Sequence, residues 1–199
     1  WYLTFDLTGT FLFAVSGTLG ASNKKLDLFG ALFTGFVTAI GGGTLRDLIL
    51  DLHPLVWIDN YLYLVVIMLG ALMAFIAREE LQKLRKTLFL FDTLGIAFFT
   101  VVGLSKALTT EINIAAAVLM GMLSAVAGGL IRDTLINEIP LILRKELYAT
   151  ACFMGAIVYI ISVNLLNLPD TISLFLSMIT TTGVRLIAIR YNIHLPLQR

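Results

Sequence analysis

Charge, cysteine and histidine are all scarce in this sequence. Of its 199 residues 14% are charged, whereas a soluble domain carries about 25% charged residues. The low charge argues against an ordinary soluble domain, and the net charge of +1 gives no reason to expect nucleic acid as a partner. The single cysteine, Cys152, excludes a disulfide within the chain, and we expect it to be a small buried hydrophobic residue.

The sequence also lacks the residue patterns of an enzyme or a metal protein. The two histidines, His53 and His194, lie far apart, and neither has a cysteine or a second histidine beside it. This arrangement argues against a metal site. No nucleophile–base pair and no phosphate-binding loop is present either. We therefore expect a protein that is not an enzyme and holds no cofactor.

Apolar residues, by contrast, are abundant and form long uninterrupted runs. They make up 58% of the chain, and the mean hydropathy is +0.93. Backbone groups in lipid must be paired within a helix or a closed barrel, and these runs do not alternate as barrel strands would. The sequence thus predicts an all-α integral membrane protein, a single domain over 1–199. Each run approaches the roughly 20 residues that span a bilayer, and the seven predicted helices cover about 3–21, 28–50, 60–77, 88–106, 113–136, 147–166 and 171–189.

Basic residues mark alternate loops. The loops after the first, third and fifth segments and the tail after the seventh hold nearly all of them, and the opposite loops have only Lys106 near their edge. By the positive-inside tendency, the N-terminus lies outside and the C-terminus is cytoplasmic. We interpret the charge run from Arg78 to Lys86 as a loop that connects the two halves. The alternative is that it binds anionic lipid headgroups. The basic residues of the positive side are Lys24, Lys25, Arg78, Lys83, Arg85, Lys86, Arg144, Lys145, Arg190 and Arg199.

The chain contains an internal repeat at an offset of 86 residues. Gly-Gly-Gly-Thr-Leu-Arg-Asp at 41–47 returns as Ala-Gly-Gly-Leu-Ile-Arg-Asp at 127–133, and each copy is followed by a proline seven residues after its aspartate. Because three helices per copy is an odd number, the second copy enters the membrane from the opposite side. The prediction is two inverted repeats, 3–78 and 88–166, joined by a linker at 79–87, with a seventh helix at 170–190 outside the repeat.

The glycines of the motif predict weak points in the second and fifth helices. Each interior glycine costs a helix about 0.5–1 kcal/mol relative to alanine, so we expect the helices to kink there and to free carbonyl groups. Close packing between helices is the alternative. Thr38 and Ser124 lie a turn or less before the glycines, and their hydroxyls either bond back to their own helix or supply oxygen to a passing cation.

The arginines of the motif are expected near the middle of the bilayer. A central arginine costs about 2.5–3.5 kcal/mol on insertion scales, so it must face water, carbonyls or a carboxylate. Asp47 and Asp133 point about 100° away from the neighbouring arginine on a helix, which makes cross-repeat pairs, Arg46 with Asp133 and Arg132 with Asp47, plausible. Two roles remain open: ion pairs that lock the halves together, or side chains that line or gate an aqueous path.

Other charged residues in the apolar segments have simpler expected roles. Asp6 and Asp92 open the first helix of each repeat, where a carboxylate caps the helix or lines a pore mouth. Lys106 and Arg185 are expected to extend toward the membrane surfaces. The candidate pore and gating residues are Arg46, Arg132, Asp47, Asp133, Gly41, Gly42, Gly43, Gly128, Gly129, Thr38 and Ser124, with Asp6 and Asp92 as candidates for the mouth.

With these doubled motifs, and with Phe-Asp-x-x-Gly opening each half, the chain over about 4–190 resembles the prokaryotic trimeric intracellular cation (TRIC) channels. Related bacterial proteins of the same duplicated domain are labelled glycine transporters. The resemblance implies a homotrimer in which each protomer has its own potassium and sodium pathway, bounded by glycine-kinked second and fifth helices. It also implies membrane lipids as partners, although the inositol lipid of animal members is not expected in a prokaryote. The expected location is the cytoplasmic (inner) membrane.

Two functions are therefore weighed. One is a monovalent cation channel in which aspartates and free carbonyls offset the positive charge of Arg46 and Arg132. The other is a secondary transporter of a small zwitterion such as glycine, whose carboxylate meets an arginine and whose ammonium meets Asp47 or Asp133. A purely structural or lipid-binding membrane protein is a third, weaker alternative.

Overall fold

The structure is a computed structural model that describes residues 1–22, 24, 26–76, 87–144, 147–191 and 193. Each predicted segment contains one long helix, and a one-turn helix and a 3-10 turn lie in two of the connections. The predicted linker lies almost wholly outside the described residues. The helices are α1 (Tyr2–Ser22), α2 (Leu28–Ile49), α3 (Val56–Asp59), α4 (Leu62–Ile76), α5 (Thr87–Leu108), α6 (Ile114–Leu135), α7 (Ala149–Asn164) and α8 (Asp170–Tyr191), and the 3-10 turn is Leu141–Leu143.

Among the described residues, four helices are long and apolar enough to cross a membrane: α2, α6, α8 and α5 without its first residue. Helices α4 and α7 are apolar but shorter. The chain is thus an all-helical membrane protein, and the number of spans stays a prediction. Apolar side chains of α4, such as Val65, Met68 and Leu72, are exposed on the outside of the bundle. Such a surface is suited to contact with lipid.

The ends of α2 and α6 show that the repeat extends to local backbone structure. The side chains of Asp27 and Asn113, 86 residues apart, accept hydrogen bonds from the backbone N–H three residues later, at 2.7 and 2.8 Å. Such bonds satisfy amides that a helix start leaves unpaired. After each helix the chain turns through a left-handed residue, Asp51 (φ 53°) and Asn137 (φ 55°), residue types that tolerate this conformation.

The centre of the bundle is formed where α1 meets α5. The buried rings of Phe13 and Phe99 stack with centroids 5.1 Å apart. Each ring also fills the space opposite the other half's glycine, Phe13 against Gly95 and Phe99 against Gly9. Since equivalent positions of the two halves contact each other, the pseudo-twofold axis of the repeat passes between these two rings.

Helices α2 and α6 cross with their backbones in close contact. A Cβ atom on Gly42 would overlap the carbonyl oxygen of Ser124, and a Cβ on Gly128 would overlap that of Thr38. These two contacts are related by the offset of 86, and they require the helices to run antiparallel. Both helices are α-helical without interruption through the glycines, so the predicted kinks are not confirmed. Gly42 and Gly128 instead permit close approach, which is the alternative that the sequence left open.

Helix α8 lies against α5 and α7 and presents a buried charge to the bundle. The guanidinium carbon of Arg185 lies 4.6 Å from the centroid of the Phe89 ring and 4.7 Å from that of Tyr148. The expectation that Arg185 extends to the membrane surface is wrong, because the side chain is fully buried and is stabilised by cation–π contacts on two rings. Cys152 is buried as expected.

Candidate functional site

Arg46 and Arg132 both lie in the last turn of their helices, and neither exposes any surface. The expected position at the middle of the bilayer stays a prediction, and the location of each arginine near one end of a 22-residue helix argues against it. The C-terminal end of a helix is also where the macrodipole favours a cation. Since α2 and α6 are antiparallel, the two arginines lie on opposite sides of the crossing.

The first site joins Arg46, Asp47 and Lys106. Nε of Arg46 donates to Oδ1 of Asp47 at 2.8 Å, and Nζ of Lys106 lies 2.9 Å from Oδ1 and 3.0 Å from Oδ2 of the same carboxylate. Lys106 therefore points into the bundle and not toward the membrane surface as expected, although 18% of its side chain stays exposed. Two cations share one aspartate in this site.

The second site joins Arg132 to two aspartates. Nε donates to Oδ1 of Asp133 at 2.8 Å, and Nη1 donates to Oδ1 of Asp92 and to Oγ of Ser16, each at 2.6 Å. The other oxygen of Asp133 accepts the backbone N–H of Leu141 at 2.9 Å. This carboxylate therefore holds the 3-10 turn after α6 against the end of that helix.

The cross-repeat pairs are not formed. Within the described residues, each motif arginine is bonded to the aspartate that follows it in the chain. The 100° separation applies to the Cα–Cβ directions, and a long arginine side chain can fold back across it. Pairing within each site offsets the charge of both arginines, as the sequence led us to expect, although through the neighbouring aspartate.

Asp6 and Asp92 do not cap their helices. α1 begins at Tyr2 and α5 at Thr87, so both aspartates lie beyond the first turn, where they are buried. Asp92 binds Arg132, whereas Oδ2 of Asp6 accepts the hydroxyl of Tyr63 at 2.6 Å. Positions that the repeat makes equivalent therefore have different partners.

The hydroxyl groups beside the glycines are part of the helix crossing. Oγ1 of Thr38 donates to the Thr34 carbonyl at 2.6 Å, which is the bond back to its own helix. Thr38 and Ser124 are both fully buried, and they pack against Gly17 and Gly103, two positions that are themselves 86 residues apart.

The other motif glycines lie beside side chains. A Cβ on Gly41 would lie 2.8 Å from Cδ1 of Ile131, one on Gly43 would lie 3.7 Å from Nη2 of Arg46, and one on Gly129 would lie 2.9 Å from the Tyr148 hydroxyl. Gly43 therefore faces the first site, and Gly129 faces the second, since its Cβ would also lie 3.5 Å from Oδ1 of Asp92.

A small cavity lies next to the first site, with room of about 10 Å³. Three aromatic residues, Trp57, Tyr63 and Phe99, line it together with Asp6 and Thr10. The sequence did not identify Trp57 or Tyr63. Its available signal was an apolar Leu-Val-Trp-Ile stretch in a loop otherwise rich in acidic residues, which becomes α3.

One end of the bundle carries an exposed charge network. Glu138, after α6, pairs with Lys24, after α1, and also with Nη2 of Arg144 at 3.1 Å. The hydrogen bond from Lys24 and its positive charge lower the pKa of Glu138 below the usual 4.5. The connections after α1 and α6 thus share one end of the bundle, as the predicted topology requires. Of the basic residues of the predicted cytoplasmic side, Lys25, Arg78, Lys83, Arg85, Lys86, Lys145 and Arg199 lie outside the described residues.

The fold and its buried charges define a class: an all-helical membrane protein with two antiparallel helices crossing at glycines and a compensated arginine at each end of the crossing. Comparison with known proteins gives the family. A family model described as "Glycine transporter" matches residues 3–79 and 89–164, and the chain belongs to this family.

Curated relatives are named as membrane proteins. The UPF0126 inner membrane protein YadS of Escherichia coli K12 is 40% identical over 96% of this chain and 93% of that protein. The UPF0126 membrane protein YvgT of Bacillus subtilis is 28% identical over the same shares.

Solved structures of TRIC channels have the same fold. The TRIC trimeric intracellular cation channel orthologue from Rhodobacter sphaeroides superposes with a TM-score of 0.90 at 31% identity, over 96% of this chain and 98% of that one. A second structure, solved to explain conductance through TRIC cation channels, superposes with a TM-score of 0.87 at 35% identity, over 98% of this chain and 96% of that one. These comparisons confirm the resemblance seen in the sequence. The matched structures are channels, in agreement with the expectation of a protein that is not an enzyme.

Proposed function

We propose that this protein is a monovalent cation channel, selective for potassium and sodium, with one pore in each protomer of a homotrimer in the inner membrane of a prokaryote. The pore passes along the crossing of α2 and α6, with the N-terminus outside and the C-terminus cytoplasmic. The likeness in fold to TRIC cation channels, at 31 and 35% identity, supports this proposal.

The observation that carries the proposal is the pairing of buried charge with close helix packing. Arg46 and Arg132 are fully buried within a mostly apolar bundle, and each is matched by at least one aspartate within 2.8 Å. Buried ionisable groups in a membrane protein typically mark ion or substrate paths. Compensated arginines leave no large positive barrier to a cation, and weak net binding permits rapid passage.

The test is electrical recording from purified protein in planar bilayers with potassium or sodium chloride. The proposal predicts unitary current steps that reverse at the cation equilibrium potential in a salt gradient. Arg46→Ala and Arg132→Ala are expected to change the step amplitude or the gating. If both variants conduct as the parent does, the arginines have a structural role only.

A glycine transporter is the second candidate, and two observations favour it. One is the description of the family model, and the other is that no described residue accepts a hydrogen bond from Nη1 or Nη2 of Arg46. Two free donors on one guanidinium match the two oxygens of a carboxylate. Saturable glycine counterflow in liposomes, without unitary currents, would favour this candidate over the channel.

A further inference from the structure

The two halves differ at the aspartate that opens each repeat. Asp92 is held at 2.6 Å by Arg132. Asp6, its equivalent, forms no ion pair with a described residue, and the equivalent arginine, Arg46, is bonded to Asp47. The repeat therefore contains one aspartate that forms an ion pair with a protein cation and one that does not.

One oxygen of the Asp6 carboxylate has no described hydrogen-bond partner. Oδ2 accepts the Tyr63 hydroxyl at 2.6 Å, and no described residue donates a hydrogen bond to Oδ1. A carboxylate oxygen without a partner inside a protein is costly. It is tolerated where a water molecule or a cation completes the site. Oδ2 of Asp92 also lacks a described partner, so the two aspartates differ in their ion pair with a protein cation and not in having a free oxygen.

The cavity beside Asp6 has the chemistry of a cation site. It is lined by Asp6 and by three aromatic residues, Trp57, Tyr63 and Phe99. The faces of aromatic rings attract cations, and such rings are used to recognise ammonium groups. The room of about 10 Å³ corresponds to roughly one water molecule, so it suits one compact dehydrated ion and excludes a bulky one.

We propose that Asp6, the Tyr63 hydroxyl and the surrounding rings form a transient binding site for one compact, dehydrated monovalent cation, and that Asp92 in the other half does not. The inference rests on the proposed channel function and names the position where the permeant ion is held. An alkali ion and the ammonium group of a small zwitterion share this chemistry. The positive charges of Arg46 and Lys106 nearby keep the binding weak, which permits the ion to leave.

The test measures thermal unfolding of the purified full chain in detergent at constant ionic strength, in choline, potassium or ammonium chloride, and in choline chloride with added glycine. Potassium and ammonium are expected to raise the midpoint relative to choline, which is too large for the cavity. Asp6→Asn is expected to abolish this shift, and Asp6→Glu to retain it. Asp59→Asn, which changes an exposed carboxylate, is the matched control and is expected to behave as the parent.

The outcomes separate this inference from the channel proposal. A potassium-dependent shift that survives in Asp6→Asn, or a parent with no shift in any of these solutions, overturns the cation site, since Oδ1 then holds water only. A shift with glycine and ammonium but not potassium retains the site and assigns it to the zwitterion. Absence of current from the parent in bilayers rejects the channel and leaves the thermal result unchanged. If Asp6→Asn does not fold, the effect of potassium on the unfolding midpoint is measured in Tyr63→Phe instead. Loss of the Tyr63 hydroxyl is expected to weaken potassium binding roughly tenfold.

Discussion

Replacing Gly42 with alanine tests whether the motif glycines permit close packing or act as hinges. The new Cβ would overlap the backbone carbonyl oxygen of Ser124, which cannot rotate away as a side chain can, so α2 and α6 must separate. Overpacking of this kind costs about 1–3 kcal/mol. For a chain of this size the loss corresponds to a midpoint lowered by about 2–12 °C.

The adjacent residue provides a matched control. A Cβ on Gly43 would lie no closer than 3.7 Å to Nη2 of Arg46, an ordinary contact, while alanine gains about 0.5–1 kcal/mol of helix propensity. Gly43→Ala is therefore expected to unfold at the parent temperature or slightly above it. The measurement is thermal unfolding in detergent. Equal stability of Gly42→Ala and the parent would refute the packing argument, and an equal loss of stability in Gly43→Ala would mean that the overlap with Ser124 is not its cause.

Three further predictions concern the charged sites. Arg132→Met leaves two buried carboxylates without a cation, so we expect a loss of about 3–5 kcal/mol, and an unchanged unfolding midpoint would contradict the ion-pair geometry. Phe89→Leu removes one ring face from Arg185 and is expected to cost about 0.5–2 kcal/mol; no change in midpoint would mean that the cation–π contact contributes nothing. Glu138→Gln removes a carboxylate whose pKa is lower in the folded protein than in the unfolded chain. Its contribution to stability is present above about pH 4.5 and is lost as the pH falls through the folded pKa, so the variant and parent midpoints should converge in acid. A constant difference would mean that the pair with Lys24 does not form in solution.

The repeat offset predicted more of the fold than hydropathy alone could. It matched Gly42 with Gly128, and these two positions make equivalent contacts across the helix crossing. It also matched Phe13 with Phe99, which stack on each other. The same pattern predicted that the motif arginines need partners, and it left open whether these are ion pairs within the protein or an aqueous path.

Side-chain partners were less predictable, since they depend on reach and on residues outside the motif. A helical projection gives only the directions of the Cα–Cβ bonds, so it does not show that the Arg46 side chain can fold back to Asp47. The inward direction of Lys106 depends on an aspartate that another helix presents. The equivalent of Lys106 in the first half is Gly20, and this mismatch was the available signal that the two sites differ.

The central claim is that a charge-compensated path for a cation runs through this helix pair. Single-channel recording of the purified protein in potassium chloride, with and without Asp6→Asn, tests it most directly. The account predicts unitary potassium currents in the parent and, in the variant, steps whose amplitude saturates only at a higher potassium concentration. A parent that passes no unitary current under any voltage, while the same preparation exchanges glycine, would contradict it.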